Sequence, residues 1–195
     1  MEFEFRRHSI KDGPHASMIG PAGCALAREV GRAQLRGKGF GAFFASTYWR
    51  THQTLAAFAE GAGDFILKRA PDAAPIYLLS PEIKALWGIC AAAERRGEDM
   101  VQAAIAHDAG LVRSASIQLA CMFDAWADTF PADARTLVVG HSPGMEFLAM
   151  GIAGVVMPGL RECQGFRISV DAGRHSVDLR SPDLDPSGIR RSLFP

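Results

Sequence analysis

Two kinds of hydrophobic pattern alternate along the chain. Short apolar runs indicate strands, whereas the stretches between them carry apolar residues at three- and four-residue spacing, as amphipathic helices do. This alternation is typical of an α/β sheet whose strands are joined by helical crossovers. The predicted strands are Glu2 to Arg6, Phe40 to Ala45, Ile76 to Leu79, Thr136 to Val139, Phe166 to Val170 and Ser176 to Leu179. The predicted helices are Pro21 to Leu35, Arg50 to Glu60, Arg113 to Thr129 and Gly144 to Val155.

The order of these elements predicts an α/β fold, a three-layer sandwich in which helices flank a mostly parallel central sheet. A length of 195 residues with 48% hydrophobic content fits a single domain over residues 1–195 with one substantial core. The segment at about 62–110 is less regular and rich in Ala and charge, so we expect an insertion beside the sheet there. The opening stretch EFEF alternates polar and apolar residues, unlike a central parallel strand. Either that strand is partly exposed or one of its glutamates is paired.

Charge and cysteine content narrow the classes of partner. Twenty-one basic residues balance twenty-one acidic ones, so neither nucleic acid nor a membrane is favoured, and a small or local ligand is expected. The four cysteines are far apart and form no C-x-x-C pair, which suits reduced thiols in a cytosolic protein. No stretch has the length and hydrophobicity of a signal peptide or a membrane span. We therefore expect a cytoplasmic protein, whose oligomeric state the sequence leaves open.

The pentapeptide GHSPG after the Thr136 to Val139 strand matches G-x-S-x-G, the turn that presents a nucleophilic serine in many hydrolases. This makes Ser142 a candidate nucleophile. In α/β-hydrolases an acid and then a histidine follow the serine on separate later loops. Here the sole later histidine, His175, lies between Asp171 and Asp178, which leaves little room for such a triad. A serine hydrolase is therefore kept as an alternative and not as the leading interpretation.

A second constellation gathers histidine and arginine at strand ends. Arg7 and His8 end the first strand, Arg50 enters a helix after the second, and His141 follows the strand before GHSPG. Ligands of open α/β sheets bind at the carboxyl ends of strands, and a guanidinium group can hold the oxygens of a phosphoryl group. The pattern therefore predicts a concentrated cationic pocket in a chain of zero net charge. It carries no H-E-x-x-H or carboxylate spacing for a metal, so no metal site is predicted.

These motifs resemble the histidine phosphatase (phosphoglycerate mutase-like) superfamily. Its pattern has Arg-His at the first strand end, Ser-x-x-x-Arg-x-x-x-Thr after the second strand, and Gly-His near the last core strand. The corresponding segments, in the same order, are Arg7-His8, Ser46 to Thr54 and Gly140-His141. The stretch GPAGCALA is also similar to the family, with Gly23 at the expected glycine. Ser9 stands where the family usually has a glycine after the histidine. This difference bears on the shape of the phosphate-binding loop and not on the identity of the nucleophile.

The resemblance implies an activity and assigns roles. His8 would attack phosphorus and form a transient phosphohistidine, while Arg7, Arg50 and His141 would bind the phosphoryl oxygens, with His141 also counted as catalytic. Neither a metal nor a cofactor would be required. The substrate would be a phosphorylated small molecule or a phosphoprotein, and a phosphohydrolase is favoured over a mutase because mutases usually carry longer chains.

The leaving group still needs a proton, which members of this branch take from a glutamate after the second helix. Glu82, just after the Ile76 to Leu79 strand, is preferred to Glu94 and Glu98 in the more solvated AAERRGED run. Glu82 would equally suit the first turn of a helix, where an acidic side chain interacts favourably with the helix dipole. Without a proton donor the chain would be a phosphate-binding module with little turnover, which is the second alternative.

Overall fold

The computed structural model describes residues 1–13, 16–64, 71–75, 81–171, 174–178 and 190–191, and for residues 81–83, 174, 175, 177, 190 and 191 it describes the backbone alone. The helices in this part are α1 (Pro21–Val30, continued by a π-helical segment, Gly31–Leu35), α2 (Trp49–Ala62), α3 (Pro81–Arg95), α4 (Met100–Ala127) and α5 (Gly144–Ala153). The strands are β1 (Glu2–Arg7), β2 (Ala42–Ala45), β3 (Asp72–Ala73), β4 (Arg135–Gly140), β5 (Val155–Val156), β6 (Gly165–Asp171), β7 (Arg174–Asp178) and β8 (Arg190–Arg191). None of the helices in the described ranges combines the length and the hydrophobicity needed to cross a membrane.

A central sheet with helices on both faces confirms the predicted fold class. Within the described residues this sheet has six strands in the order β3-β2-β4-β1-β6-β7, of which the first four run parallel. Along β4, Val138 packs in a core shared with α4 and α5, whereas Leu137 and Val139 pack in a core shared with α1 and α2. Because successive strand residues point to opposite faces, the helices form one layer on each side of the sheet.

Several element boundaries differ from the sequence predictions for local reasons. Helix α5 ends at Ala153, two residues early, because Gly154 adopts the left-handed conformation that terminates helices (φ 63°). Helix α4 begins at Met100, well before the predicted start at Arg113, since the Asp99 carboxylate accepts hydrogen bonds from the N–H groups at its first turn. The helix then kinks at Asp108, whose backbone is not helical (φ −156°, ψ 94°).

The segment predicted as an irregular insertion at about 62–110 contains α3 and the first turns of α4 in its described part. The predicted strand Ile76 to Leu79 lies outside the described residues. Strand β3, a two-residue strand beside β2, was not predicted, because two residues are too short for a periodic signal.

Strand β1 resolves the question that EFEF raised, because Glu4 is paired. Phe3 and Phe5 lie in the core on the α4 and α5 side, which places Glu4 and Arg6 on the opposite face. The Glu4 carboxylate is buried and accepts from Arg6 Nε at 2.8 Å and from Arg167 Nε at 3.4 Å. The alternation therefore marks a central strand with a buried ion pair on one face.

Candidate active site

Three neighbouring strands, β1, β4 and β2, bring their carboxyl ends to one edge of the sheet. The register pairs Arg7 with Gly140 and Ala45 with Val139, so the loops that follow these strands emerge side by side. A cavity of about 160 Å³ opens between these loops and α3. It is lined by Arg7, His8, Lys11, Arg50, Trp87, Cys90, Ala91, Glu94, Met100, His141, Ser142 and Pro143.

His8 is held in one orientation on the floor of this cavity. Its backbone N–H donates to the carbonyl of Gly140 at 3.0 Å, and its Nδ1 lies 2.7 Å from the carbonyl oxygen of Ser9. A carbonyl only accepts, so Nδ1 carries the hydrogen and Nε2 keeps a free lone pair. Burial, followed by the positive charges of Arg7 and Arg50, lowers the pKa of His8 to about 4. At neutral pH the imidazole is therefore uncharged and nucleophilic.

The second histidine, His141, lies against the first. The two ring centroids are 5.1 Å apart. His141 Nε2 is 2.6 Å from the Ser46 hydroxyl, and Nδ1 is 3.4 Å from Arg50 Nη2. Because a guanidinium only donates, Nδ1 accepts and Nε2 carries the hydrogen in this state. Burial, together with the charge of Arg50 and the other neighbouring cations, lowers the pKa of His141 well below its ordinary value.

Arg7 reaches the cavity from the end of β1 and is held by three acceptors. Its Nη1 donates to the Leu160 carbonyl, its Nη2 donates to Glu94, and Glu162 Oε1 lies 3.6 Å from Nη2. Burial alone would raise the pKa of Glu94, but the hydrogen bond and charge of Arg7, with the charge of Lys11, bring it below its ordinary value. Glu94 is thus an ionised group that forms an ion pair with Arg7.

Arg50 enters from the first turn of α2, and its guanidinium lies over the Tyr48 ring, 4.4 Å from the centroid. Burial lowers the pKa of Arg50, and the charge of Arg7 lowers it further. Because the Arg7 charge disfavours that of Arg50 in this partly buried cavity, an anion bound between the two guanidinium groups is favourable. The ring stack and the helix fix the direction of Arg50.

The loop after His8 is shaped by Ser9, the residue that differs from the family pattern. Ser9 is fully buried, its hydroxyl donates to the Gly23 carbonyl at 2.7 Å, and its N–H donates to Thr54 Oγ1 at 2.9 Å. Gly23 packs so closely that an added Cβ would lie 2.3 Å from the Ile10 carbonyl. Ser9 therefore links the end of β1 to α1 through its hydroxyl, a contact that a glycine would not supply, and to α2 through its backbone N–H, which a glycine would keep.

The three acidic candidates for proton donor are placed differently. Glu82 is the second residue of α3, but its side chain lies outside the described part, so its assignment stays a prediction. Glu94 lies more than three turns further on, about 18 Å along the helix axis, and lines the cavity. Glu98 is ion-paired with Arg96 at 2.7 Å and is half exposed. Of these groups, Glu94 is the carboxylate that the described side chains bring to the cavity.

Ser142 also lines the cavity, but the structure places its predicted partner histidine elsewhere. His175 pairs with Val170 on the edge strand β7, beyond the amino end of β1, where Glu2 pairs with Ser169. Ser142 follows the carboxyl end of β4. Because β1 and β4 are parallel, this is the end of the strands opposite to the amino end of β1. The backbone positions therefore separate Ser142 from His175.

Sequence reasoning missed the wall that α3 contributes. Trp87, Cys90, Ala91 and Glu94 all line the cavity, and the Trp87 ring lies 5.9 Å from that of His141. Their spacing is that of one helical face, so the signal was present in LWGICAAAE. The Ala-rich and charged composition of the segment obscures this signal. Lys11, which also lines the cavity, was overlooked three residues after His8.

Comparison with solved structures shows that the sheet order and the helical layers are those of the phosphoglycerate mutase-like fold. At TM-score 0.61 and 14% identity, 91% of this chain matches 91% of a phosphoglycerate mutase from Bacillus anthracis. A putative alpha-ribazole-5'-P phosphatase from Escherichia coli matches at TM-score 0.57 and 15% identity, over 95% of this chain and 99% of that one. The protein histidine phosphatase SixA, complexed with tungstate, matches at TM-score 0.56 and 16% identity, over 91% and 94%.

No protein-family model matches the sequence, and no curated protein matches it either. At identities of this size the structural similarity establishes the fold, and the chemistry has to be argued from the cavity.

Proposed function

We propose that this protein is a phosphohydrolase that acts on a phosphomonoester or a phosphorylated protein through a transient phosphohistidine on His8. The observation that carries the proposal is the state of His8: neutral, anchored through Nδ1 to Ser9, and open at Nε2 in a cavity with two guanidinium groups. The structural neighbours support phosphoryl chemistry, because they are described as phosphatases and as a mutase.

In the first step Nε2 attacks phosphorus, a nitrogen–phosphorus bond forms, and the bond to the leaving oxygen breaks. Arg7 and Arg50 bind the equatorial oxygens and supply the positive charge that the transfer needs, so that no metal has to supply it. The negative phosphoryl group raises the pKa of the adjacent His141, and a proton taken up at Nδ1 turns this nitrogen into a third donor.

Glu94 supplies the proton to the leaving oxygen in this proposal. An incoming dianion draws Arg7 away from Glu94, and the carboxylate then loses its cation and gains a negative neighbour. Both changes raise the pKa of Glu94, so the acid is formed by substrate binding. In the second step the Glu94 carboxylate accepts a proton from water, the water oxygen attacks phosphorus, and inorganic phosphate and free His8 are released.

The mechanism is tested by replacing His8 with Asn, which keeps the approximate volume and removes the nucleophile. The wild type should turn over at least one substrate in a phosphoester panel and should be trapped with an acid-labile, base-stable phosphoryl label. Both signals should disappear in His8→Asn, while the fold persists by circular dichroism. Full turnover in the variant would contradict the mechanism, and labelling of Ser142 by a fluorophosphonate would favour the serine hydrolase.

The donor is tested by comparing Glu94→Gln with Glu82→Gln and with the half-exposed Glu98→Gln as a matched control. Loss of the true donor should reduce hydrolysis of an alkyl phosphate by about 10²-fold and spare p-nitrophenyl phosphate, whose phenolate leaves without a proton. We expect this split for Glu94→Gln. The same split for Glu82→Gln would return the role to Glu82, and equal losses for both substrates would contradict general-acid catalysis by either residue.

A phosphate-binding module is the second candidate, and one observation favours it. The ion pair with Arg7 favours the ionised form of Glu94, so a proton donor has to be created when substrate binds. If binding fails to create it, the cavity holds phosphate without turnover. Tight binding of inorganic phosphate by the wild type, without hydrolysis of any ester in the panel, would select this function.

A further inference from the structure

Glu146 is a carboxylic acid in the middle of the core, which the chemistry above does not use. It lies in the first turn of α5 with no exposed surface. The Ser142 hydroxyl lies one turn earlier, and its hydrogen bond favours the carboxylate form of Glu146. Burial nevertheless raises the pKa of Glu146. A buried carboxyl group lowers the free energy of unfolding, whereas a buried apolar side chain of the same size would not.

The other carboxyl oxygen of Glu146 connects to the cavity through the backbone. Oε1 accepts from the N–H of Leu160 at 2.6 Å, and the carbonyl of the same Leu160 accepts from Nη1 of Arg7. The preceding N–H, that of Gly159, donates to Asp99 at 2.9 Å. Two carboxylates therefore fix consecutive N–H groups in the stretch that supplies the carbonyl partner of Arg7.

The partners of Arg7 differ in what they can do when a ligand arrives. Glu94 is partly exposed and competes with an incoming anion for Nη2. The Leu160 carbonyl is neutral and binds Nη1 on the other side of the guanidinium, so it stays bound while Nη2 changes partner. The direction of this carbonyl thus sets where the freed end of Arg7 points.

We propose that Glu146 is a positioning residue, which holds the Leu160 backbone so that its carbonyl keeps Arg7 directed at the phosphoryl group. The inference rests on the proposed function and adds to it a residue that touches neither substrate nor reacting atom. Without the carboxyl group the Leu160 N–H loses its acceptor, Asp99 still holds the N–H of Gly159, and the Leu160 carbonyl is less firmly oriented. Arg7 then binds the anion in a less organised state, and misplacement of a binding group by about 1 Å costs about 10²-fold in rate.

The test compares Glu146→Gln, which keeps an acceptor for the Leu160 N–H, with Glu146→Met, which has a similar volume and no oxygen. Orthovanadate is the probe, by calorimetry, together with kcat/KM on p-nitrophenyl phosphate. Glu146→Met should weaken vanadate binding about tenfold and reduce kcat/KM about 10²-fold. Glu146→Gln should stay within about threefold of the wild type, because the hydrogen bond is preserved. Ser116→Ala, which also changes a buried polar group, on α4, is the matched control and should leave both quantities unchanged.

A double-mutant cycle with Arg7→Ala separates positioning from a structural role. If Glu146 acts through Arg7, adding Glu146→Met to Arg7→Ala should change vanadate affinity by less than about twofold. Additive losses would overturn the inference, and so would equal losses in Glu146→Gln and Glu146→Met. If Glu146→Met does not fold, Glu146→Asp, which retracts the acceptor by one methylene group, takes its place in the cycle.

A wild type that turns over esters while the cycle is additive refutes the positioning role alone. A wild type that neither binds vanadate nor hydrolyses any ester overturns the proposed function as well.

Discussion

Replacing His8 with Asn should reduce the loss of stability that the protein undergoes between pH 7 and pH 5. The pKa of His8 is about 4 in the folded protein, against an ordinary value of 6.5. In the interval between these values the unfolded chain binds a proton that the folded chain excludes, so unfolding becomes easier as the pH falls. Asn cannot titrate, and the variant therefore lacks this contribution.

The magnitude follows from the two pKa values of His8. A shift from 6.5 to about 4 corresponds to about 3 kcal/mol of destabilisation once the pH lies below both values. The part that develops between pH 7 and pH 5 is about 2 kcal/mol. His141 titrates in the same direction and is present in both proteins; the His8 charge lowers its pKa less than burial and Arg50 do, so the difference between the proteins reports mainly on His8.

The measurement is urea unfolding of wild type and His8→Asn at pH 7, 6 and 5, with the slope m checked for constancy. The variant should lose about 2 kcal/mol less than the wild type over this range. His107→Asn, at an exposed position on α4, serves as the control and should follow the wild type. A difference below about 0.5 kcal/mol, or one of opposite sign, would refute a buried and neutral His8.

Three further predictions concern binding and packing. Arg50→Met, which keeps an apolar stem and removes the guanidinium, should weaken vanadate binding by about 10²-fold in calorimetry, because charge-assisted hydrogen bonds are lost. Glu4→Leu leaves Arg6 buried beside an apolar side chain, and should lower the free energy of unfolding by about 3 kcal/mol in urea. Gly23→Ala places a Cβ 2.3 Å from the Ile10 carbonyl, and should cost about 2 kcal/mol of stability and reduce kcat/KM.

The parts of the fold that the sequence predicts are those with a strong local signal. Strands β1 and β4 and helix α5 were predicted to within two residues, because apolar runs and Gly144 and Gly154 mark their limits. The start of α4 was not, since its signal is a single capping side chain, that of Asp99. The kink at Asp108 has the same kind of signal, because the Asp108 carboxylate accepts a hydrogen bond from the N–H of Leu111, as a helix N-cap does.

In the candidate site, too, the residues that belong to a sequence motif could be predicted, whereas the contacts that depend on helix packing could not. Arg7, His8, Arg50 and His141 are brought together as the strand-end pattern predicts. The pairing of Arg7 with Glu94 depends on how α3 packs across the sheet edge, which no local pattern determines. The role of Glu82 stays a prediction, because its side chain lies outside the described residues.

The central position of β1 has a consequence for how the chain acquires its fold. Its described partners are β4 and β6, and β4 begins only at Arg135, about 130 residues after β1 ends. At a synthesis rate of 5–20 residues per second, β1 waits roughly ten seconds for its first partner. During that time a strand with two phenylalanines on one face has unpaired edges, which favours association with other chains. Glu4 and Arg6 put charge on its other face and oppose this association. An apolar replacement of Glu4 should therefore reduce the yield of native protein by more than its effect on the free energy of unfolding accounts for.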